Sequence, residues 1–163
     1  MSYNRRGSRG DRDRDDRGDR RDHRDTRNRD PPATHKPLEQ LDRTKTCPFM
    51  LRLFWKTDGN HSLELFDNQS KLPTDEMLTI YTWKDATLSE LFELIQQQVP
   101  EANEDGVTIE FRVIFINFNQ GKALSRPLGK VTNKRKTEDD NKTLQSLRFE
   151  VGDFIDVSII RNN

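Results

Sequence analysis

The chain has 163 residues, and its 28 basic and 28 acidic side chains cancel to a net charge of zero. A single cysteine excludes an internal disulfide framework and a cysteine-based zinc site, which suits a reducing compartment. No apolar run reaches the roughly 18 residues of a membrane span, and the charged start lacks the apolar stretch of a secretory signal. We therefore expect a soluble intracellular protein with no membrane partner.

The first thirty residues carry charge and almost no large apolar side chains, as in the stretch DRDRDDRGDR at 11–20. Eleven arginines and eight aspartates give them a charge of +3, which leaves −3 for residues 31–163. These residues bury too little surface to offset a backbone ordering cost of roughly 1–2 kcal/mol per residue. Residues 1–36 are therefore predicted to form a disordered Arg-Asp-rich tail.

Three interpretations of this tail stay open. It is a self-neutralised solubilising segment, a weak RNA contact opposed by its own aspartates, or an unswitched imitation of a phosphorylated Arg-Ser repeat. The last two interpretations place charge contacts at five arginines of the tail, namely Arg12, Arg14, Arg17, Arg20 and Arg21.

The apolar residues concentrate in 44–161, a stretch long enough to bury one core. In FMLRLFWK at 49–56, alternate apolar residues share one face, which predicts a strand. Asp58-Gly59 is a turn signal, and HSLELF at 61–66 follows it, so a β-hairpin is predicted over 48–66. LTIYTW at 78–83 has the same strand character.

A helix is predicted over 88–98. Its apolar residues recur at helical spacing, and they are Leu88, Leu91, Phe92, Ile95 and Val99. Thr87 and Glu90 fit a capping box at its start, and Pro100 fits its end.

The last third of the domain begins with VTIEFRVIFINF at 107–118, the strongest predicted strand. An irregular loop at 119–143 follows, with a short partner strand considered at 122–131. A last strand within 148–160 comes after a Gly152-Asp153 turn. This order predicts an α+β, ubiquitin-like β-grasp fold with one main helix on a mixed sheet. Its first and last strands would pair in parallel at the sheet centre.

Four segments carry a family resemblance: TCPFMLRLF (46–54), IYTWKDATLSEL (80–91), EDDNKTLQS (138–146) and RFEVGDFIDVSI (148–159). In order and spacing they resemble the eighteen-kilodalton Sin-three-associated polypeptide family over about 42–160. The resemblance implies a ubiquitin-like fold and a nuclear adaptor that joins the Sin-three histone-deacetylase corepressor. It also implies that the adaptor joins the apoptosis-and-splicing-associated complex at the periphery of exon junctions. Its partners there would be an Acinus-like scaffold and a serine-rich RNA-binding splicing partner. Thr137-Glu138 departs from the family's expected Gly-Thr.

Enzymatic chemistry is not indicated, because convergent reactive groups are lacking. His23 and His35 fall in the tail, and His61 is interpreted as a solvated strand residue. Cys47 is interpreted as a partly buried small side chain without a base. The pair Asp139 and Asp140 is interpreted as a solvated charged loop. We expect no catalytic, metal or cofactor site and no small-molecule substrate.

Binding to proteins is the remaining function. Five aromatic residues fall outside the predicted core faces and are the candidate partner-binding residues: Phe54, Phe66, Tyr81, Phe118 and Phe154. The alternative is that loop 119–143 folds over them. Trp83, next to the helix start, is assigned to core packing.

The sequence is therefore interpreted as a non-enzymatic nuclear adaptor, found in nuclear speckles and shuttling to the cytoplasm. It would link a scaffold peptide to deacetylase and splicing assemblies, with strand addition at a sheet edge as one binding mode. The competing interpretation is an RNA-binding accessory protein that acts through its Arg-Asp tail.

Overall fold

The computed structural model describes residues 41–161. The predicted disordered tail at 1–36, with its five candidate arginines, lies outside the described residues. The strands are β1 (Phe49–Thr57), β2 (Met77–Thr82), β3 (Val107–Asn117), β4 (Lys122–Thr132) and β5 (Phe154–Arg161), and the one α-helix is α1 (Leu88–Gln98). Short 3-10 helices lie at Leu63–Phe66, Gln69–Lys71, Thr74–Glu76, Pro100–Asn103 and Glu138–Asn141. No helix within 41–161 has the length and apolar character needed to cross a membrane.

The five strands form one mixed sheet in the order β2-β1-β5-β3-β4. β1 and β5 pair in parallel, with Leu53 opposite Ile155, and every other neighbouring pair is antiparallel. The predicted α+β fold with one main helix is confirmed. The predicted parallel pairing of the first and last strands is confirmed as well, and it places β5 in the middle of the sheet.

Helix α1 has the bounds that its apolar stripe predicts. Its buried residues are Leu88, Leu91, Phe92 and Ile95, which pack on one face of the sheet with Leu51, Leu53, Ile109, Phe111, Ile155 and Val157. The Thr87 side chain accepts a hydrogen bond from the Glu90 amide at 3.1 Å. The second hydrogen bond of a capping box would join the Glu90 side chain to the Thr87 amide. Instead, the Glu90 carboxylate accepts hydrogen bonds from Arg43. Burying each large apolar side chain in this core contributes roughly 1.5–3 kcal/mol.

The predicted β-hairpin over 48–66 is wrong. The turn is present, with Asp58 at a φ of 54°, but the chain after it forms the 3-10 helix Leu63–Phe66. β1 already has two neighbours, β2 and β5, so it has no free edge for a returning strand. Residues 58–76, which we call the cover segment, cross the second face of the sheet and return the chain to β2.

The region 119–143 is mostly regular. The strand considered at 122–131 is confirmed as β4, which spans Lys122–Thr132 and pairs with β3 along its length. The register shifts between Phe111 and Arg112, and the extra residue is Leu128, which is buried. Pro127 is tolerated beside this bulge because β4 is an edge strand. Residues 118–121 form the turn into β4, and residues 133–143 form a loop that contains the 3-10 helix Glu138–Asn141.

Candidate protein-interaction surface

The second face of the sheet, opposite α1, has its own small core. Phe54, Phe66, Ile114 and Ala123 are buried there. The ring centroid of Phe54 lies 5.1 Å from that of Phe66 and 5.5 Å from that of Phe154. These are edge-on contacts, which stabilise aromatic pairs beyond the area that they bury. The cover segment supplies Leu63, Leu65, Leu72 and Phe66 to this cluster.

Phe54 and Phe66, two of the candidate partner-binding residues, are therefore interior. The expectation that they face outward overlooked a second core: the cover segment, rather than loop 119–143, lies over Phe54 and contributes Phe66 to the same cluster. Neither ring is available to a partner in this conformation. Phe154 is half-buried at the margin of the same cluster. Tyr81 and Phe118 are exposed, and binding through them stays a prediction.

The cover segment leaves one end of this sheet face open, and large apolar side chains are exposed at that end. Phe118 is 93% exposed, Tyr81 65%, Val151 56% and Met50 44%. Met50 and Tyr81 are opposite each other in the β1–β2 register. Phe118 follows the end of β3, and Val151 precedes β5. We call these four residues, with Phe154, the apolar strip.

Two adjoining grooves run along the apolar strip. One has a volume of about 240 Å³ and includes Met50 and Arg52 in its lining. The other has a volume of about 490 Å³ and includes Phe118 and Ile116. Both are also lined by Gly152, Asp153 and Phe154. The exposed apolar side chains therefore border a concave surface that a partner side chain can enter.

The charge at the grooves is mixed and limited. Arg52 lies in the smaller groove and Glu150 in the larger one. Burial raises the pKa of the Asp153 carboxyl, although the Glu150 amide donates a hydrogen bond to it. Apolar contact therefore dominates this surface.

A buried polar cluster centres on His61 of the cover segment. Its Nδ1 lies 2.6 Å from Asp156 Oδ1, and its Nε2 lies 2.7 Å from Glu76 Oε2. Asp156, on β5, has no exposed surface. Its other oxygen accepts from Arg112 Nε at 2.8 Å and from Asn60 at 3.1 Å. Arg112 also donates to the His61 carbonyl. The cluster ties the cover segment to the two central strands β5 and β3.

The interpretation of His61 as a solvated strand residue is wrong. Each ring nitrogen of His61 lies within hydrogen-bond distance of a carboxylate oxygen, and these contacts favour the protonated imidazole. Its ring nitrogens are both occupied, and it does not act as a free base. The sequence holds no local signal for this cluster, because His61 and Asp156 are 95 residues apart.

We expect the fold to lose stability as pH rises above about 6.5 because of His61. Burial by itself lowers the pKa of His61, but its hydrogen bonds to Asp156 and Glu76 outweigh burial and raise it. The stabilisation is complete below the unfolded pKa of about 6.5 and is lost as pH rises through the folded pKa. Urea unfolding across a pH series measures this loss. His61→Gln should abolish the dependence, and an NMR titration of the His61 ring at or below its usual pKa would contradict it.

Trp83 joins neither core cluster among the described residues, so its assignment to core packing is wrong. Its indole Nε1 donates to the Thr46 carbonyl at 2.7 Å. The Arg43 guanidinium lies 5.0 Å from its ring centroid and pairs with Asp85 and Glu90. These contacts hold the segment before β1 against the start of α1. Cys47 in this segment is exposed rather than partly buried.

The acidic pair after β4 is structural. Asp140 is buried and accepts hydrogen bonds from the Thr137 amide and hydroxyl. Asp139 is half-buried, accepts from the Lys130 amide at 2.9 Å and pairs with Lys142 at 2.5 Å. The interpretation of this pair as a solvated loop is therefore wrong. Within residues 41–161, no group of histidine, cysteine and acidic side chains has the arrangement of a metal site.

Comparison with known proteins identifies the family. The sequence model of the Sin3 associated polypeptide p18 (SAP18) family matches residues 40–159. The chain belongs to the SAP18 family. The resemblance expected from the four sequence segments is thereby confirmed.

Three members illustrate the relationship. A histone deacetylase complex subunit SAP18 from Arabidopsis thaliana is 42% identical over 134 residues, which cover 81% of this chain and 86% of the relative. Those from Drosophila melanogaster and Homo sapiens are 41% and 37% identical over 128 residues. These alignments cover 77% and 78% of this chain and 83% of each relative. The SAP18 match contains the apolar strip and the His61 cluster, whereas the Arg-Asp tail lies outside it.

Proposed function

We propose that this protein is a subunit of a nuclear histone deacetylase complex that contains the Sin3 corepressor scaffold. The observation that carries the proposal is membership of the SAP18 family, because the aligned relatives are named histone deacetylase complex subunits. The family match spans residues 40–159, which contain most of the described fold. The protein acts in the nucleus as part of a transcriptional corepressor.

Its role in the complex is that of a non-enzymatic adaptor. The buried histidine supports this, because both of its ring nitrogens bond to carboxylates and its side chain has almost no exposed surface. The apolar strip supports it as well, since exposed apolar residues beside a groove are typical of protein-interaction sites. The adaptor domain proposed for 44–161 binds an apolar segment of the scaffold at this strip.

The outer edge of β2 offers a second element of the same surface. β2 is a terminal strand of the sheet, so its outer backbone groups have no strand partner within 41–161. An extended scaffold segment can add there as a sixth strand through main-chain hydrogen bonds. Tyr81, exposed on β2 and opposite Met50, would then contact the side chains of that segment.

The same adaptor also joins the splicing machinery. Its partners there are an Acinus-like scaffold and a serine-rich RNA-binding splicing protein at exon junctions, as the family resemblance implies. The Arg-Asp tail acts as an unswitched Arg-Ser-like arm that retains the protein in nuclear speckles, from which it shuttles to the cytoplasm. Replacing the eight tail aspartates with asparagine should change speckle retention, and an unchanged distribution would argue against this role of the tail.

Affinity capture from nuclear extract tests the adaptor function. The full chain and residues 36–163 are compared at low and high salt, with partners identified by mass spectrometry. We expect deacetylase, Sin3 and splicing partners to stay with residues 36–163 at high salt, because apolar contacts are little screened. Loss of all partners with the tail would favour the competing function, an RNA-binding accessory protein.

The strip itself is tested by Phe118→Ser. This side chain is almost fully exposed, so we expect the thermal midpoint to stay unchanged while capture of the scaffold falls about tenfold, as for a central apolar anchor. Leu124→Ser is the matched control, because Leu124 is an exposed apolar residue on β4 outside the strip. Equal capture by the two variants would exclude Phe118 from the interface.

A further inference from the structure

A basic surface lies at the opposite end of the sheet from the apolar strip. Residues 122–136, which comprise β4 and the start of the next loop, contain six basic and no acidic side chains. In the sequence the next acidic run, EDD at 138–140, formally cancels the charge of KRK at 134–136. The structure separates the two runs, because Asp140 is buried under Thr137 and Asp139 turns toward β4 and Lys142. The three basic side chains are exposed.

A depression lies between the sheet end and this basic loop. It has a volume of about 380 Å³ and is lined by Thr108, Thr132, Lys134 and Arg135. Its side chains are two hydroxyls, one ammonium and one guanidinium, and no carboxylate lines it. Within residues 41–161 neither Lys134 nor Arg135 has an ion-pair partner. The lining therefore has the donors and the positive charge that an anion requires.

Hydrogen bonds fix the backbone that carries these donors. Asn133 donates to the Glu104 carbonyl at 2.8 Å and accepts from the Gly106 amide at 3.0 Å. The Thr132 hydroxyl donates to the Val107 carbonyl at 3.1 Å. The nearby Glu104 carboxylate is already paired with Arg161 at 3.2 Å. The loop is thus anchored at its base, and the adjacent carboxylate does not compete for Lys134 and Arg135.

We infer that this depression binds a phosphorylated serine or threonine side chain of a partner protein. A phosphomonoester carries about −1.5 to −2 charge and three acceptor oxygens, which suit the ammonium of Lys134 beside the guanidinium of Arg135. The planar guanidinium of Arg135 bonds two phosphate oxygens at once. An RNA backbone carries only one charge per phosphate, and residues 122–136 contain no aromatic ring on which a base would stack. The site is distinct from the strip used for the proposed adaptor function.

Fluorescence anisotropy on the full chain tests this site. The probes are a short neutral peptide with one phosphoserine, the same peptide without phosphate, and single-stranded oligouridine RNA. The test variant carries Lys134→Gln and Arg135→Gln. The control variant carries Lys71→Gln and Lys122→Gln, which remove the same charge from two exposed lysines outside the depression. The tail arginines are present in every protein and contribute equally.

We expect the phosphopeptide to bind more tightly than its unphosphorylated form. The test variant should bind the phosphopeptide about tenfold more weakly or worse, because each lost charge-assisted hydrogen bond contributes substantial binding free energy. The affinity of the control variant should fall by no more than about twofold. Equal losses in the two variants would show diffuse charge attraction and overturn the proposal. Tighter binding of RNA than of phosphopeptide, lost in the test variant alone, would also overturn it.

Discussion

Asp156→Ala should destabilise the fold by about 3–5 kcal/mol, the typical cost of removing one partner from a buried ion pair. Asp156 is fully buried and holds His61, Arg112 and Asn60 together. Its removal leaves the Arg112 cation without an anion and opens the bond between the cover segment and β5. A domain of this size is stable by only about 5–15 kcal/mol in total, so urea unfolding should register the loss as a large fall in midpoint.

Asp105→Ala is the matched control, because Asp105 is exposed in a turn. We expect it to change stability by no more than about 0.5 kcal/mol. If Asp156→Ala fails to fold, His61→Gln gives a smaller measurable loss, because an amide still donates to one carboxylate. A near-neutral Asp156→Ala would mean that the cluster contributes no net stability to this fold.

Phe54→Ala should cost about 3–5 kcal/mol, as expected for truncating a fully buried aromatic residue. The ring contacts Phe66, Phe154 and His61, so its loss opens a cavity beneath the cover segment. Thermal unfolding followed by circular dichroism measures the effect. Phe118→Ala, on an exposed ring, should leave the midpoint within the error of the measurement.

The same pair of variants separates a core role from a binding role. Below its unfolding midpoint, Phe54→Ala should still capture partners, because its ring does not reach the surface. If it is as stable as the unmodified protein and loses partners, then Phe54 contacts the partner directly and the placement beneath the cover segment is wrong.

Much of the fold is encoded locally and was predicted for that reason. The apolar residues from Leu88 to Ile95 recur only at helical spacing, and Thr87 caps the first turn, so both the helix and its start are predicted. The alternation in β3 is equally clear, and β5 follows its turn as predicted. The parallel β1–β5 pair followed from element order, since few topologies accommodate a single helix between these strands.

The hairpin prediction is wrong because the apolar pattern in HSLELF does not distinguish a strand from a 3-10 helix. Leu63 and Leu65 alternate as in a strand, but the competition for the edges of β1 is decided by β2 and β5. That competition involves strands distant in sequence, so no residue near Asp58-Gly59 indicates its outcome. Because residues 61–66 were predicted as a strand, the second core that Phe54 and Phe66 form was not predicted.

The candidate site was predictable only where exposure follows from position. The exposure of Phe118 was predicted from its place outside the main core face, although the predicted strand at 107–118 extends one residue beyond β3. The His61 cluster was not predictable, since its members come from three separate parts of the chain. The inward turn of Asp139 and Asp140 was likewise hidden, because charge alone does not reveal which carboxylates serve the backbone.

The central position of β5 in the sheet determines when the domain can fold during its synthesis. This strand is translated after the other four, yet β1 and β3 both pair with it. Until residue 161 has left the ribosome, each of these strands presents an unpaired edge, which is prone to aggregation. Asp156 also arrives with β5, so the nascent chain holds Arg112 without its counter-ion until β5 has been made. A chain truncated before β5 lacks the strand that joins β1 to β3, so we expect it not to fold.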